Sequence, residues 1–168
     1  MALEIERRFL LTSLPDVPWA TFVRIRQGYL GEHPHEVRLR EQTVSCCGAS
    51  WVLCKKSGTG LVREETELPV TKAHFDMLWP LFQERSIEKT RHVYTTGDFL
   101  NWEVDLFEHL RLASGAPLII MEVELPHPSY ALTIPSELAS LVLREVTGES
   151  QWLNTSLARH GLPAAAGL

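Results

Sequence analysis

The chain has 168 residues, 45% of them hydrophobic, which is enough for one full core and sets the expectation of a single domain. Its formal net charge of −5 argues against a nucleic-acid partner held by a broad basic surface, and no apolar run approaches the roughly 20 residues that span a bilayer. Cys46, Cys47 and Cys54 are odd in number and fit no paired metal-ligand spacing; with no signal peptide in view they imply a reduced, cytoplasmic setting.

Alternation of apolar and polar residues predicts strands near 2–11, 21–30, 35–44, 50–57, 61–69, 88–96, 99–107 and 117–125. Turn chemistry separates them: Gly31 to His35 with Pro34, Cys47-Gly48-Ala49-Ser50, Ser57-Gly58-Thr59-Gly60 and Thr96-Gly97-Asp98. Links this short imply antiparallel pairing. Three helices are expected. Thr71 caps the first, with Phe75, Leu78 and Phe82 on one face and Pro80 as a kink or stop. Ser136 caps the second, with Leu138, Leu141, Val142 and Val146 as its stripe and Gly148 as its end. Ser150 begins the third, which carries Trp152, Leu153 and Leu157 and closes at Gly161. The expected fold is α+β: residues 1–162 form one domain of about eight strands, and 163–168 a frayed tail. So many antiparallel strands close into a barrel or split into a sandwich, because an open sheet leaves edges.

Charge sits at i and i+2 on one side of nearly every strand, so it shares a face. The set runs Glu4, Glu6 and Arg8; Arg24 and Arg26; Glu36, Arg38 and Arg40; Lys55-Lys56; Arg63, Glu65 and Glu67; Lys89 and Arg91; Glu103 and Asp105; Glu122 and Glu124. Periodicity alone is equally compatible with a sheet whose charged face meets solvent. Like charges ~7 Å apart repel by roughly 0.6 kcal/mol in water and ~2.4 kcal/mol at an effective dielectric of 20. An interior face therefore needs ligands of both signs. Paired arginines suit phosphate oxygens through their planar forks, and paired acids suit hard divalent cations. A metal-bound polyphosphate would satisfy both.

Glu4-x-Glu6-x-Arg8 resembles the ExExK signature of the CYTH proteins, or triphosphate tunnel metalloenzymes. The likeness continues through Arg26-Gln27-Gly28-Tyr29-Leu30, Val37-Arg38-Leu39-Arg40, Lys56-Ser57, Arg63-x-Glu65-x-Glu67, Met77-Leu78-Trp79-Pro80, Glu88-Lys89-Thr90-Arg91, Trp102-Glu103-Val104-Asp105 and Met121-Glu122-Val123-Glu124. It covers nearly the whole chain and leans towards the small bacterial inorganic triphosphatases. The resemblance implies a closed eight-stranded antiparallel barrel forming a tunnel, with helices outside. It implies phosphate binding by Arg8, Arg26, Arg38, Arg40, Lys56, Arg63, Lys89 and Arg91. Magnesium or manganese would lie on Glu4, Glu6, Asp105, Glu122 and Glu124, with Glu65, Glu67 and Glu103 as weaker ligands. The catalytic set would be Lys89, Arg8, Glu4 and Glu6, and the reaction metal-assisted attack of water on a terminal phosphorus.

Two departures stand out. The family ends ExEx with Lys, which with the lysine matching Lys89 is proposed to activate water; here Arg8 replaces it, and a guanidinium with a free pKa near roughly 13.8 is no base. Many relatives carry Asp-Lys-Arg-Tyr where this chain has Glu149-Ser150-Gln151-Trp152. The expected function is metal-dependent hydrolysis of triphosphate, inorganic triphosphate first, to diphosphate and phosphate; the alternatives are an adenylyl cyclase of the class IV type and, because Arg8 replaces the family lysine, a non-catalytic polyphosphate- or nucleotide-binding module. The expected partner is a small-molecule triphosphate, with a homodimer left open and neither nucleic acid nor membrane. The scattered histidines read as structural or surface residues. Trp51, Trp79, Trp102 and Trp152 read as packing residues.

Overall fold

The computed structural model describes residues 2–32, 35–57 and 62–164, with side chains for all of these except 2–4, 32, 56–57 and 62–64. Strands β1 (Ala2–Leu11), β2 (Thr21–Glu32), β3 (His35–Val44), β4 (Gly48–Ser57) and β5 (Val62–Val70) precede helix α1 (Lys72–Phe82). Then come β6 (Ser86–Thr95), β7 (Asn101–Arg111), β8 (Pro117–Glu124), the single turn α2 (Ser136–Ala139), β9 (Val142–Glu145) and α3 (Asn154–His160). The strands form one antiparallel nine-stranded sheet in the order β5-β4-β3-β2-β6-β7-β8-β1-β9, and β5 also pairs with β1. Among the described residues no helix is long and apolar enough to cross a membrane.

All eight expected strands are present; the ninth is a correction. The stripe expected to carry the second helix through Val142 and Val146 stops after one turn at Ala139, and Val142–Glu145 is a strand. The reason lies in β1. One edge of β1 is filled by β8, while β5 reaches only Ala2–Ile5 of the other, so Phe9–Leu11 still needs partners. Strand β9 supplies them, with Val146 donating to the Arg8 carbonyl at 2.8 Å just beyond. The apolar stripe is divided accordingly: Leu138 packs beside Phe9 and Met121, and Val146 beside Leu10 and Ile120. The third helix also starts later than expected. A 3-10 turn spans Ser150–Trp152, and α3 begins at Asn154 and ends at Gly161, whose φ of 68° suits glycine.

Helix α1 follows its sequence signals. The Thr71 hydroxyl accepts from His74 N at 3.2 Å, and the helix runs two residues past Pro80. Phe75 and Phe82 anchor it on the outer face of β2 and β3 beside Leu39. Gly28 is required beneath it, since a Cβ there would lie 2.6 Å from the Phe82 carbonyl oxygen. Each buried aromatic is worth roughly 1.5–3 kcal/mol.

The opposite face of the sheet changes character along the strands. On β1 the sequence Glu6, Arg8 gives way to Leu10; on β8, Glu124 and Glu122 give way to Ile120 and Leu118. On β7, Glu103 and Asp105 precede Phe107, and on β6, Arg91 and Lys89 are followed inward by Ile87. The apolar ends gather with Trp152 and Leu157 of the C-terminal segment into one cluster. That cluster seals one end of the face and leaves the charges at the other.

Candidate active site

The charged half surrounds a cavity of about 560 Å³, within the range of small-molecule sites. Four guanidiniums line it, those of Arg8, Arg38, Arg40 and Arg91, with Glu6, Glu36, Glu65, Glu67, Glu103, Glu122 and Glu124 between them. Antiparallel register brings the groups together. Glu6 stands opposite Glu124 and Arg8 opposite Glu122 across β1 and β8, Glu103 opposite Glu122 across β7 and β8, and Arg91 opposite Asp105 across β6 and β7.

Arg8 is the hub. One of its terminal nitrogens lies 2.9 Å from Glu6 and 2.8 Å from Glu122, and the other donates to the Trp152 carbonyl at 3.3 Å. Burial opposes its charge, but Glu122, Glu6 and Asp105 outweigh it and raise the pKa further. Arg8 is thus a permanent cation in a position where lysine could have titrated. Arg91 bridges Asp105, at 2.7 and 2.8 Å, to Glu122 at 3.1 Å, and also pairs with Glu103. Lys89 pairs with Asp105 below the cavity, both side chains fully buried. Burial pulls the Lys89 ammonium down to about 8 against the pull of Asp105, with Arg91 adding to the fall. For Asp105 burial acts upward, yet Arg91 and Lys89 hold its carboxyl well below the usual range. Glu122 is likewise lowered, chiefly by Arg8 against burial, whereas burial raises Glu103.

Arg40 differs from the other three guanidiniums. Its Nε donates to Gln27 Oε1 at 2.9 Å, and it makes no ion pair among the described residues. Burial, then Arg38 and Arg91, lower its pKa to about 10. A cation so destabilised favours an incoming anion.

Not every expected residue faces this cavity. Arg26 lies on the outer face, paired with Glu41 at 2.8 Å and stacked 4.6 Å over the Trp79 ring beneath α1. Asp105 turns both oxygens to Lys89 and Arg91, as a counter-ion to both. Lys89 is likewise behind the wall and not on it. Glu65 and Glu67 both bind Arg38, at 2.8 and 3.0 Å, and Cys54 donates to Glu65 at 2.7 Å. Cys54, Glu65 and Glu67 bring ligand atoms within 4.8 Å of one another. The side chains of Glu4, Lys56 and Arg63 lie outside the described residues. Tyr29, Glu36, Phe99, Asn154 and Thr155, outside the set expected from sequence, also line the cavity. Glu36 follows from its i−2 relation to Arg38, while the C-terminal pair carries no charge to mark it.

Carboxylates facing one another across a strand pair repel unless a cation sits between them. Arg8 and Arg91 offset Glu122, whereas among the described residues Glu124 makes no ion pair and Glu6 pairs with Arg8 alone. The Glu6 and Glu124 rung therefore fits a hard divalent cation.

A cavity lined by four guanidiniums with carboxylates interleaved among them defines a protein that handles a polyanion. The chain is 36% identical over 159 residues to the inorganic triphosphatase of Nitrosomonas europaea, covering 92% of this chain and 96% of that one. Its fold matches the crystal structure of the inorganic triphosphatase NE1496 with a TM-score of 0.66 at 31% identity, over 97% of this chain and 99% of that chain. The Hippeastrum protein HpAC1, whose dominant activity is triphosphatase, matches with a TM-score of 0.53 at 15% identity over 74% and 80% of the two chains, a likeness of fold alone. No protein-family model matches the chain. The chain belongs to the CYTH family of triphosphate tunnel proteins, alongside its small inorganic triphosphatases.

Proposed function

We propose that the protein hydrolyses inorganic triphosphate to diphosphate and phosphate with the help of magnesium or manganese. The observation that carries this reading is Arg40, a cavity-facing cation without a carboxylate partner among the described residues, its pKa lowered to about 10. A phosphoryl group offers the oxygens it lacks. The pairing of β5 with β1 supports a sheet closed into a barrel, with the charged half as its lumen.

In this reading Arg38, Arg40 and Arg91 hold phosphoryl oxygens, and Arg8 stabilises the charge that grows as water attacks the terminal phosphorus. Glu6, Glu122 and Glu124 would hold the cation, which when bound neutralises phosphoryl charge and orients the chain. Asp105 keeps Arg91 aimed, and burial brings Lys89, at about 8, close to neutral pH. The rate then rests on positioning and charge stabilisation.

Orthophosphate release from inorganic triphosphate, ATP and thiamine triphosphate, each with magnesium and with manganese, tests the proposal. Fastest turnover of inorganic triphosphate is expected. No turnover of any of the three overturns it, and cyclic AMP from ATP would assign a cyclase.

A further inference from the structure

Among the residues that line the cavity, Arg8 Nε, Arg38 Nε and the Thr155 hydroxyl are buried atoms with no hydrogen-bond partner among the described residues. The arginines belong to the charged set already described. Thr155 does not. Its residue is only 7% exposed, it carries no charge, and it reaches the cavity from the C-terminal segment. That segment is tied to the site by the bond from Arg8 to the Trp152 carbonyl, three residues before Thr155.

A buried hydroxyl left without a partner costs about 1–3 kcal/mol, so a side chain so placed is stabilised by whatever acceptor the cavity receives. Valine would have filled the same space at no such cost, and Leu157, two residues later, does pack into the apolar cluster. We propose that the Thr155 hydroxyl is a phosphoryl-binding group, donating to an oxygen of the phosphate seated at the inner end of the cavity beside Arg8. The proposal rests on the triphosphatase reading and adds to it a contact from the uncharged wall. It makes Thr155 a determinant of affinity and leaves the attack on phosphorus to the charged groups.

The test compares wild type with Thr155→Val, which keeps the shape and removes the donor, and Thr155→Ser, which keeps the donor. Two quantities are read: KM and kcat for inorganic triphosphate with magnesium, and the Kd for inorganic triphosphate in EDTA, where no turnover intervenes. A hydrogen bond to a charged acceptor predicts that Thr155→Val raises both KM and Kd about ten- to hundredfold, with kcat within about twofold. Thr155→Ser should return both to within about threefold of wild type. Thr155→Ala repeats the measurement if the valine variant does not fold. A folded Thr155→Val or Thr155→Ala with wild-type KM and Kd overturns the proposal, as does a fall in kcat alone. A wild type that binds triphosphate without hydrolysing it removes the hydrolytic reading and leaves the Kd comparison standing. A wild type that does not bind triphosphate overturns both.

Discussion

Replacing Asp105 by Asn removes the one anion that faces both Lys89 and Arg91 at full burial. Arg91 keeps Glu122 and Glu103, but Lys89 is left with no ion pair among the described residues. Stranding one member of a buried pair costs about 3–5 kcal/mol. At roughly 2–4 °C per kcal/mol for a chain of this size, Tm at pH 7 should fall by about 6–20 °C. The loss should also depend on pH. Asp105 raises the Lys89 pKa, so without it the folded value drops below about 8, while the unfolded lysine stays near roughly 10.4. Below both folded values the ammonium is charged in variant and wild type alike, and the gap is largest. As pH rises towards 8 the variant lysine loses its proton first, and the gap narrows; above 8 both are neutral and the gap is constant. Thermal unfolding followed by circular dichroism from pH 6 to 9 measures this. Adding Lys89→Met should recover part of the loss, because the stranded cation is gone. A loss under about 1 kcal/mol at pH 7, unchanged by pH, would refute the reasoning.

Arg8→Lys cannot reach Glu6, Glu122 and the Trp152 carbonyl at once, so KM for triphosphate should rise several-fold with no gain in kcat; a large gain would mean that the guanidinium was suppressing a base. Arg26→Ala should leave KM within about twofold and lower stability by roughly 1–2 kcal/mol in denaturant titration, through lost stacking and stem packing under α1. A raised KM would place Arg26 in the site after all. Glu6→Gln with Glu124→Gln should shift the magnesium or manganese concentration for half-maximal hydrolysis upward by at least about tenfold, and an unmoved midpoint would put the cation elsewhere.

The strands were legible because alternation has only one consistent reading once half of each strand is charged. The second helix was misread because Leu138, Val142 and Val146 satisfy a helical period as well as a turn followed by a strand. What decided between them was an unfilled edge of β1, more than a hundred residues away. Within the site, the charged face could be read but not the division of labour upon it. Asp105 and Glu122 look alike in sequence; depth along the strand made one a counter-ion and left the other on the cavity wall. The charge pattern points Arg26 inward with Arg24, yet Gln27 and Tyr29 hold the inner face of β2. Gly28, obligatory beneath α1, was the local sign that this side of β2 lies against a helix.

The attachment of Arg8 to the segment around Thr147 and Trp152 has a consequence in time. Its backbone N–H donates to Thr147 and its guanidinium to Trp152, separations of 139 and 144 residues. As the chain leaves the ribosome, β1 must wait for a segment about 140 residues further on before its arginine finds all its partners. Until then a cation destined for full burial sits in a half-built wall, and long-range closures of this kind are slow. Maturation of the site should therefore trail formation of the β2–β3–β4 meander, whose contacts are local, and an arrested chain ending near residue 140 should hold that meander without a functional cavity.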